Sequence, residues 1–282
     1  MNMQETDKIV TIEPLTGVRY VLPLREGGSL PAIVETADGR AFVVKFLGAG
    51  QGRKALVAEC LAAGLAQVLG LPIPDAAVVS LGEGFGVGEP DPEIQDLLRA
   101  SVGLNFGLAY LPGALAFDPA ADRGLSPELA ADIVWFDAAM TNIDRTPRNT
   151  NLLVWRGRFW LIDHGASLYF HHAWQGWESR VQSTFPQIKD HVLLHQAGDL
   201  NAADTRLRPR LTEEAIRAVV ACVPDEWLGD EEVFATIEQQ RNAYVSYFTQ
   251  RLNGPRGWLN EAIDAQARGP VPYAPRPTHR VV

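Results

Sequence analysis

The segment from Asn142 to Gly165 restricts the fold more than any other part of the 282-residue chain, because three short pieces of different character follow one another there without a gap. Polar Asn142-Ile143-Asp144-Arg145-Thr146-Pro147-Arg148-Asn149-Thr150-Asn151 leads into apolar Leu152-Leu153-Val154-Trp155. Arg156-Gly157 separates that run from Arg158-Phe159-Trp160-Leu161, and Ile162-Asp163-His164-Gly165 follows. The pattern predicts a loop, a hairpin turning at Arg156-Gly157, and a second loop. Antiparallel strands run out and back, so the residue before the first and the residue after the second finish as neighbours. Asn149 and Asp163 are therefore expected to face one point, and Asp144, five positions before Asn149, to reach it from the loop.

A carboxylate and an amide oxygen held together are hard ligands of the kind magnesium takes, with its remaining ligands drawn from phosphates and water. An aspartate beside them can orient a substrate hydroxyl and accept its proton while a phosphoryl group transfers. The spacing Asp-x-x-x-x-Asn is the one used in kinase catalytic loops. Taken singly, Asp144 and Asn149 read more simply as turn residues, and Asp163 as the cap of a strand. Helix, loop, hairpin and Asp-x-Gly in that order, behind a strand-rich segment, favour phosphoryl transfer.

That strand-rich segment is the N-terminal third. Arg19 to Leu24, Leu30 to Thr36 and Arg40 to Leu47 carry Val, Ile, Phe and Tyr in strand-like runs, with Asp38-Gly39 as a hairpin turn. Gly27-Gly28-Ser29, between the first two strands, is expected to cover the phosphates, since glycine lets backbone amides approach a ligand. Lys45 stands in the apolar run Phe42-Val43-Val44-Lys45-Phe46 and needs a partner for its charge. Glu59, on a helix expected from Arg53 to Leu69 and stopped by Gly70 and Pro72, is the natural one. A rival phosphate loop at Gly48 to Lys54 fails its motif, because Arg53 occupies a position where glycine is required.

Ala76 to Leu81 reads as another strand and Glu93 to Ser101 as a short helix. The apolar Phe106 to Phe117 run follows, and Phe106, Tyr110 and Leu111 are expected to line an adenine site where two lobes join. From Ser126, which can cap a helix running to about Met140, the chain is mainly helical. Further helix starts are expected after Thr212 and after Asp230, and a long helical pattern ends before Gly254-Pro255. The fold class expected is α+β, a bilobal protein-kinase-like arrangement: an N-lobe over 1–105, a helical C-lobe over 106–268, and an extended tail over 269–282, which holds four prolines.

Composition removes several alternatives. A net charge of -9 repels a phosphate backbone, so direct nucleic-acid binding is not expected outside a local basic pocket. Cys60 and Cys222 lie in apolar helical patterns and suit buried thiols better than a disulfide or zinc site. No apolar run long enough for a membrane span and no secretory signal is evident, which points to a cytoplasmic protein. His171-His172 and the tryptophans at 174 and 177 read as loop and packing residues.

Val44-Lys45-Phe46, Glu59-Cys60-Leu61-Ala62, Asn142-x-Asp144-Arg145-x-x-x-Asn149 and Ile162-Asp163-His164-Gly165 together resemble the HipA-like kinase family. Ile188 to Leu194 and Pro224 to Leu228 resemble a small-protein branch of it, so the likeness runs from about Leu24 through Leu252. The resemblance implies a kinase fold related to phosphatidylinositol kinases, with ATP and magnesium as cofactors. It places Lys45 on phosphate, Asp144 as catalytic base, and Asn149 with Asp163 on the metal. Characterised members include serine/threonine kinases of toxin–antitoxin systems, so the resemblance offers an antitoxin-like partner. His164 departs from the phenylalanine common in protein kinases, and the additional N-terminal subdomain of the toxin kinases has no counterpart. The acceptor is a protein or small-molecule hydroxyl, and a regulatory nucleotide-binding module without turnover is the reading from another class.

Overall fold

Short β-branched and aromatic runs in the first third close on themselves in the computed structural model, which describes residues 10–24, 30–121 and 124–269. The strands are β1 (Ile12–Pro23), β2 (Ala32–Thr36), β3 (Ala41–Lys45), β4 (Ala76–Leu81) and β5 (Gly103–Ala109). They form a closed barrel in the order β1-β2-β3-β5-β4, sealed where β1 and β4 pair in parallel from Ile12↔Ala76 to Thr16↔Ser80. Ala32, Val34, Phe42, Val44, Val79 and Leu81 fill the interior. Gly17 is required there: a Cβ would stand 2.6 Å from Leu81 Cδ2.

The helix α1 (Gly52–Leu69) is buried on nearly every face from Ala55 to Ala66, as a sequence apolar there except for Glu59 demands. It packs against the barrel on one side and against α5 (Glu213–Ala221) and the 225–227 turn on the other. Gly70, at φ 73, ends it, and the Leu71 N–H returns to the Ala66 carbonyl at 2.9 Å. After α2 (Pro92–Arg99), β5 and the short β6 (Leu115–Ala116), the chain turns helical with α3 (Pro127–Met140). Ser126 Oγ accepts from the Leu129 N–H at 3.1 Å, the cap expected of it. The hairpin of β7 (Leu152–Trp155) and β8 (Arg158–Leu161) turns on Arg156 and Gly157, both with positive φ. The remaining helices are α4 (Leu200–Leu207), α5, α6 (Ile237–Asn253) and α7 (Gly257–Arg268). Among the described residues, no helix is long and apolar enough to cross a membrane.

Several expectations shift. The first strand begins at Ile12, seven residues before Arg19, because its early half is recruited by β4. The expected boundary at 105/106 falls inside β5, which pairs along its length with β4 and from Phe106 onward with β3. No helix starts after Asp230; the next begins at Ile237 with Thr236 as its cap, while Asp230 and Glu231 are drawn to Arg53 and Lys54 at the start of α1. Gly27, Gly28, Ser29 and all but Gly269 of the expected tail lie outside the described residues. Trp174 and Trp177 pack against each other in the core, and Trp174 also meets Phe234 and Tyr244.

Candidate active site

β3 ends at Lys45, α1 carries Glu59 on its buried face, and β8 delivers the chain to Asp163. The Lys45 ammonium pairs with both Glu59 Oε1 and Asp163 Oδ1, which ties the barrel, the helix and the loop after the hairpin at one atom. Asp163 holds φ 57, left-handed backbone that a residue with a side chain keeps only where its surroundings enforce it. The glycine two positions on is needed for closeness: a Cβ on Gly165 would lie 3.3 Å from Glu59 Oε1 and 3.6 Å from Lys45 Nζ. Burial opposes the charge of Asp163, but the adjacent Lys45 outweighs it and holds the carboxyl below its ordinary range. At Glu59 burial prevails and the pKa is raised, even with Lys45 against it.

Asp144 sits in a cage of asparagines. Its N–H donates to Asn142 Oδ1 at 3.1 Å, and its Oδ2 accepts from Asn149 Nδ2 at 2.7 Å and Asn151 Nδ2 at 3.2 Å. Thr146 and Asn149 exchange backbone hydrogen bonds at 3.0 and 3.1 Å, which closes the loop between Asp144 and Asn149. The Ile162 N–H donates to the Asn151 carbonyl at 3.1 Å, so the two strand ends do meet. Burial and the negative charge of Asp163 raise the Asp144 pKa against the two amides that stabilise its ionised form.

Beneath this loop lies a buried ionic layer. The Arg145 Nε donates to Asp137 Oδ2 at 2.5 Å, its Nη1 donates to the Asn151 carbonyl, and its Nη2 approaches His164 Nε2 at 2.9 Å. His191 accepts from the Leu193 N–H through Nδ1, so its Nε2 carries the proton and donates to Asp137 Oδ2 at 2.9 Å. Asp137 lies at 0 % exposure, and Arg145 and His191 hold its carboxyl far below the usual range despite that burial.

A cavity of about 640 Å³ opens onto Lys45, Glu59 and Asp163, with Val43, Phe106 and Leu111 among its apolar lining. Tyr110 also lines it, so the three residues expected at an adenine site share one cavity with the lysine expected on phosphate. Its character, apolar with charge confined to one end, suits a base and sugar at one end and phosphates at the other. The donor set also suits a hard cation: the charge of Asp163 raises the proton affinity of Asp144, which a cation between them would relieve, and Asn149, by donating through nitrogen, leaves its amide oxygen for another partner. The rival loop at Gly48 to Lys54 is neutralised, because Arg53 and Lys54 are paired with Asp230 and Glu231.

Sequence reasoning missed Asn151 as a partner of Asp144, missed Asp137 altogether, and gave His191 no role beyond its place in the Ile188 to Leu194 resemblance. Asp137 had a signal, a lone carboxylate within the apolar run Ile133 to Met140, where a charge must have a partner. His191 was marked only by that resemblance, because it reaches the layer from the end of a distant 3-10 turn.

Three comparisons with known proteins bear on this arrangement. No curated protein sequence matches the chain. Among solved structures, it is similar to the crystal structure of a Helicobacter pylori proinflammatory kinase, CtkA, with a TM-score of 0.56 at 12% identity, over 89% of this chain and 99% of that one. At that identity the likeness speaks for the fold, a kinase fold with a strand-rich N-terminal region and a helical C-terminal part. The HipA-like kinase family matches residues 19–258, which takes in the barrel from the second half of β1 onward, the Lys45–Glu59–Asp163 cluster, the Asp144 loop and α6, and the chain belongs to that family.

Proposed function

We propose that the chain is a bilobal serine/threonine protein kinase that transfers the γ-phosphate of magnesium-bound ATP to a hydroxyl. The observation that carries this reading is Lys45 bridging Glu59 and Asp163 at the polar end of the cavity, with Asp144 close enough to feel the charge of Asp163. Lys45, positioned by Glu59, holds the α and β phosphates. Phe106, Tyr110 and Leu111 receive the adenine, and Gly27, Gly28 and Ser29 cover the phosphates. Asp163 and Asn149 are the residues that hold magnesium, which supplies neutralisation of phosphate charge when bound. Asp144 orients the acceptor hydroxyl through its free carboxylate oxygen and takes its proton, with Asn149 and Asn151 fixing the other oxygen.

The test is incubation of purified protein and γ-labelled ATP with a lysate of the host, the products separated into proteins and small molecules. Label on protein serine or threonine supports the reading. Label confined to small molecules would make the chain a small-molecule kinase, and no label with no ATP hydrolysis would make it a regulatory module.

A further inference from the structure

A second cavity, of about 410 Å³, adjoins the loop that carries Asp144. Thr141 and Ile143 line it from the start of that loop, Tyr169 and Arg180 from the segment after Gly165, and Arg251 from α6. Arg251 is 1 % exposed, and a guanidinium so buried ordinarily faces a carboxylate. Here none of the described residues supplies one. Its Nε donates to the Ala139 carbonyl at 2.8 Å, Nη2 to Ala138 at 3.1 Å, and Nη1 to Val181 at 2.8 Å and Ser183 at 3.3 Å. The rings of Trp258 and Tyr247 flank the cation at 5.4 and 5.8 Å. The carbonyls at the end of α3 offset part of the charge through the helix dipole, but they bring no anion.

Arg180 repeats the pattern. It donates through Nη2 to the carbonyls of Ala173 and Gln175, its Nε is buried without a partner, and no carboxylate among the described residues pairs with it. Both guanidiniums act on the Tyr247 hydroxyl, so their fields converge at one place. Two cations with no counter-anion among the described residues, lining one cavity of a protein whose net charge is -9, make a local site for a negative group that the overall field would otherwise repel. Ser183 and Thr184 also line the cavity, offering further hydrogen-bonding groups, and Ile143 and Tyr169, 41 % and 67 % exposed, offer apolar surface beside it.

We propose that this cavity is an acceptor-side subsite, which takes a phosphate monoester or carboxylate carried by the protein substrate next to the hydroxyl presented to Asp144. The use of the anion rests on the kinase reading; the cavity's preference for an anion does not, and is measured without turnover. Phenyl phosphate, benzoate and benzyl alcohol are titrated calorimetrically into the full chain, with the nucleotide cavity filled by a non-hydrolysable ATP analogue. Phenyl phosphate should bind saturably at one site, benzyl alcohol at least about tenfold more weakly, and Arg180→Gln should weaken phenyl phosphate by about tenfold or more, the scale of one charge-assisted hydrogen bond. Benzoate binding within a few-fold of phenyl phosphate assigns the site to either anion; much weaker benzoate binding assigns it to phosphate. Arg180 carries the test because Arg251→Gln would also strip the end of α3 of its donor. Absence of saturable phenyl phosphate binding, equal affinity for benzyl alcohol, or unchanged affinity in Arg180→Gln overturns the proposal. Intact anion binding in a chain that transfers no phosphate would instead overturn the kinase reading and leave the cavity assigned.

Discussion

The Arg145 guanidinium lies 2.9 Å from Nε2 of His164, so the residue after Asp144 touches the residue after Asp163. Through this buried contact the two loops expected to hold the hydroxyl and the metal share one support, which Asp137 and the Asn151 carbonyl complete. Histidine in place of the phenylalanine common in protein kinases here accepts a hydrogen bond that a phenyl ring cannot.

That contact has a pH signature. Arginine only donates, so His164 Nε2 accepts and the ring is neutral; burial, then the Arg145 charge, holds its pKa down to about 3. Its unfolded value is about 6.5. With the folded pKa below the unfolded one, the unfolded chain binds the extra proton between these values, and stability falls as pH falls through that window. Denaturant unfolding at about pH 7, 6 and 5 should show this loss, with a slope smaller by about one proton in His164→Phe, whose ring can keep the edge contact with Phe136. An unchanged slope in the variant would refute it.

Lys45→Met should abolish turnover and also destabilise the fold, because it leaves Glu59, 1 % exposed, without its cation. Breaking a buried pair from one side costs about 3–5 kcal/mol. Adding Glu59→Gln removes the fully buried one of the two stranded charges and leaves the more exposed Asp163 to solvent, so the double variant should recover most of the thermal stability and none of the activity. Activity restored together with stability would show that Lys45 only supports the fold.

Gly165→Ala tests how closely the Asp-His-Gly turn must lie on α1. The new methyl would meet Glu59 Oε1 at 3.3 Å and Ala55 Cβ at 3.5 Å, while the backbone needs no left-handed conformation. The strain falls on the Lys45–Glu59 pair rather than on the turn. Stability should change by less than about 1.5 kcal/mol, within the range of modest core overpacking, while nucleotide affinity drops several-fold. Nucleotide affinity equal to wild type would mean the pair tolerates displacement.

Local chemistry made much of this legible. The Arg156-Gly157 turn fixes the β7–β8 hairpin, and Ser126 and Thr212 cap the helices they were expected to start, because turns and caps are settled within a few residues. The early half of β1 was hidden by Pro14 and by a partner, β4, more than sixty residues away. Asp230 and Glu231 look like a helix start until Arg53 and Lys54 claim them across the fold. At the site, the linear motif was readable, whereas the layer of Asp137, Arg145, His164 and His191 draws on four separate segments and exists only once they are packed.

Asp144→Asn and Asp163→Asn should fail in different ways, because the charge of Asp163 raises the cost of ionising Asp144 while the two carboxylates have different partners. Asp144 accepts from asparagine amides and has one oxygen left for an incoming hydroxyl, while Asp163 faces Lys45. Asp144→Asn keeps shape and removes the proton acceptor, so magnesium-ATP affinity should stay near wild type while transfer falls by about 10²-fold or more. Asp163→Asn weakens the cation site, since an amide is a poorer hard ligand than a carboxylate, so both magnesium-dependent nucleotide binding and transfer should fall. A further consequence is visible without nucleotide: with the charge at 163 gone, one of the causes raising the Asp144 pKa disappears, and its titration should move to lower pH. Carboxyl carbon NMR on the nucleotide-free protein reads that shift, and calorimetric titration of ATP with and without magnesium reads the binding. Full transfer by Asp144→Asn would remove it as the base, normal magnesium dependence in Asp163→Asn would remove that residue from the metal, and an unmoved Asp144 titration would mean the two carboxylates do not share one field.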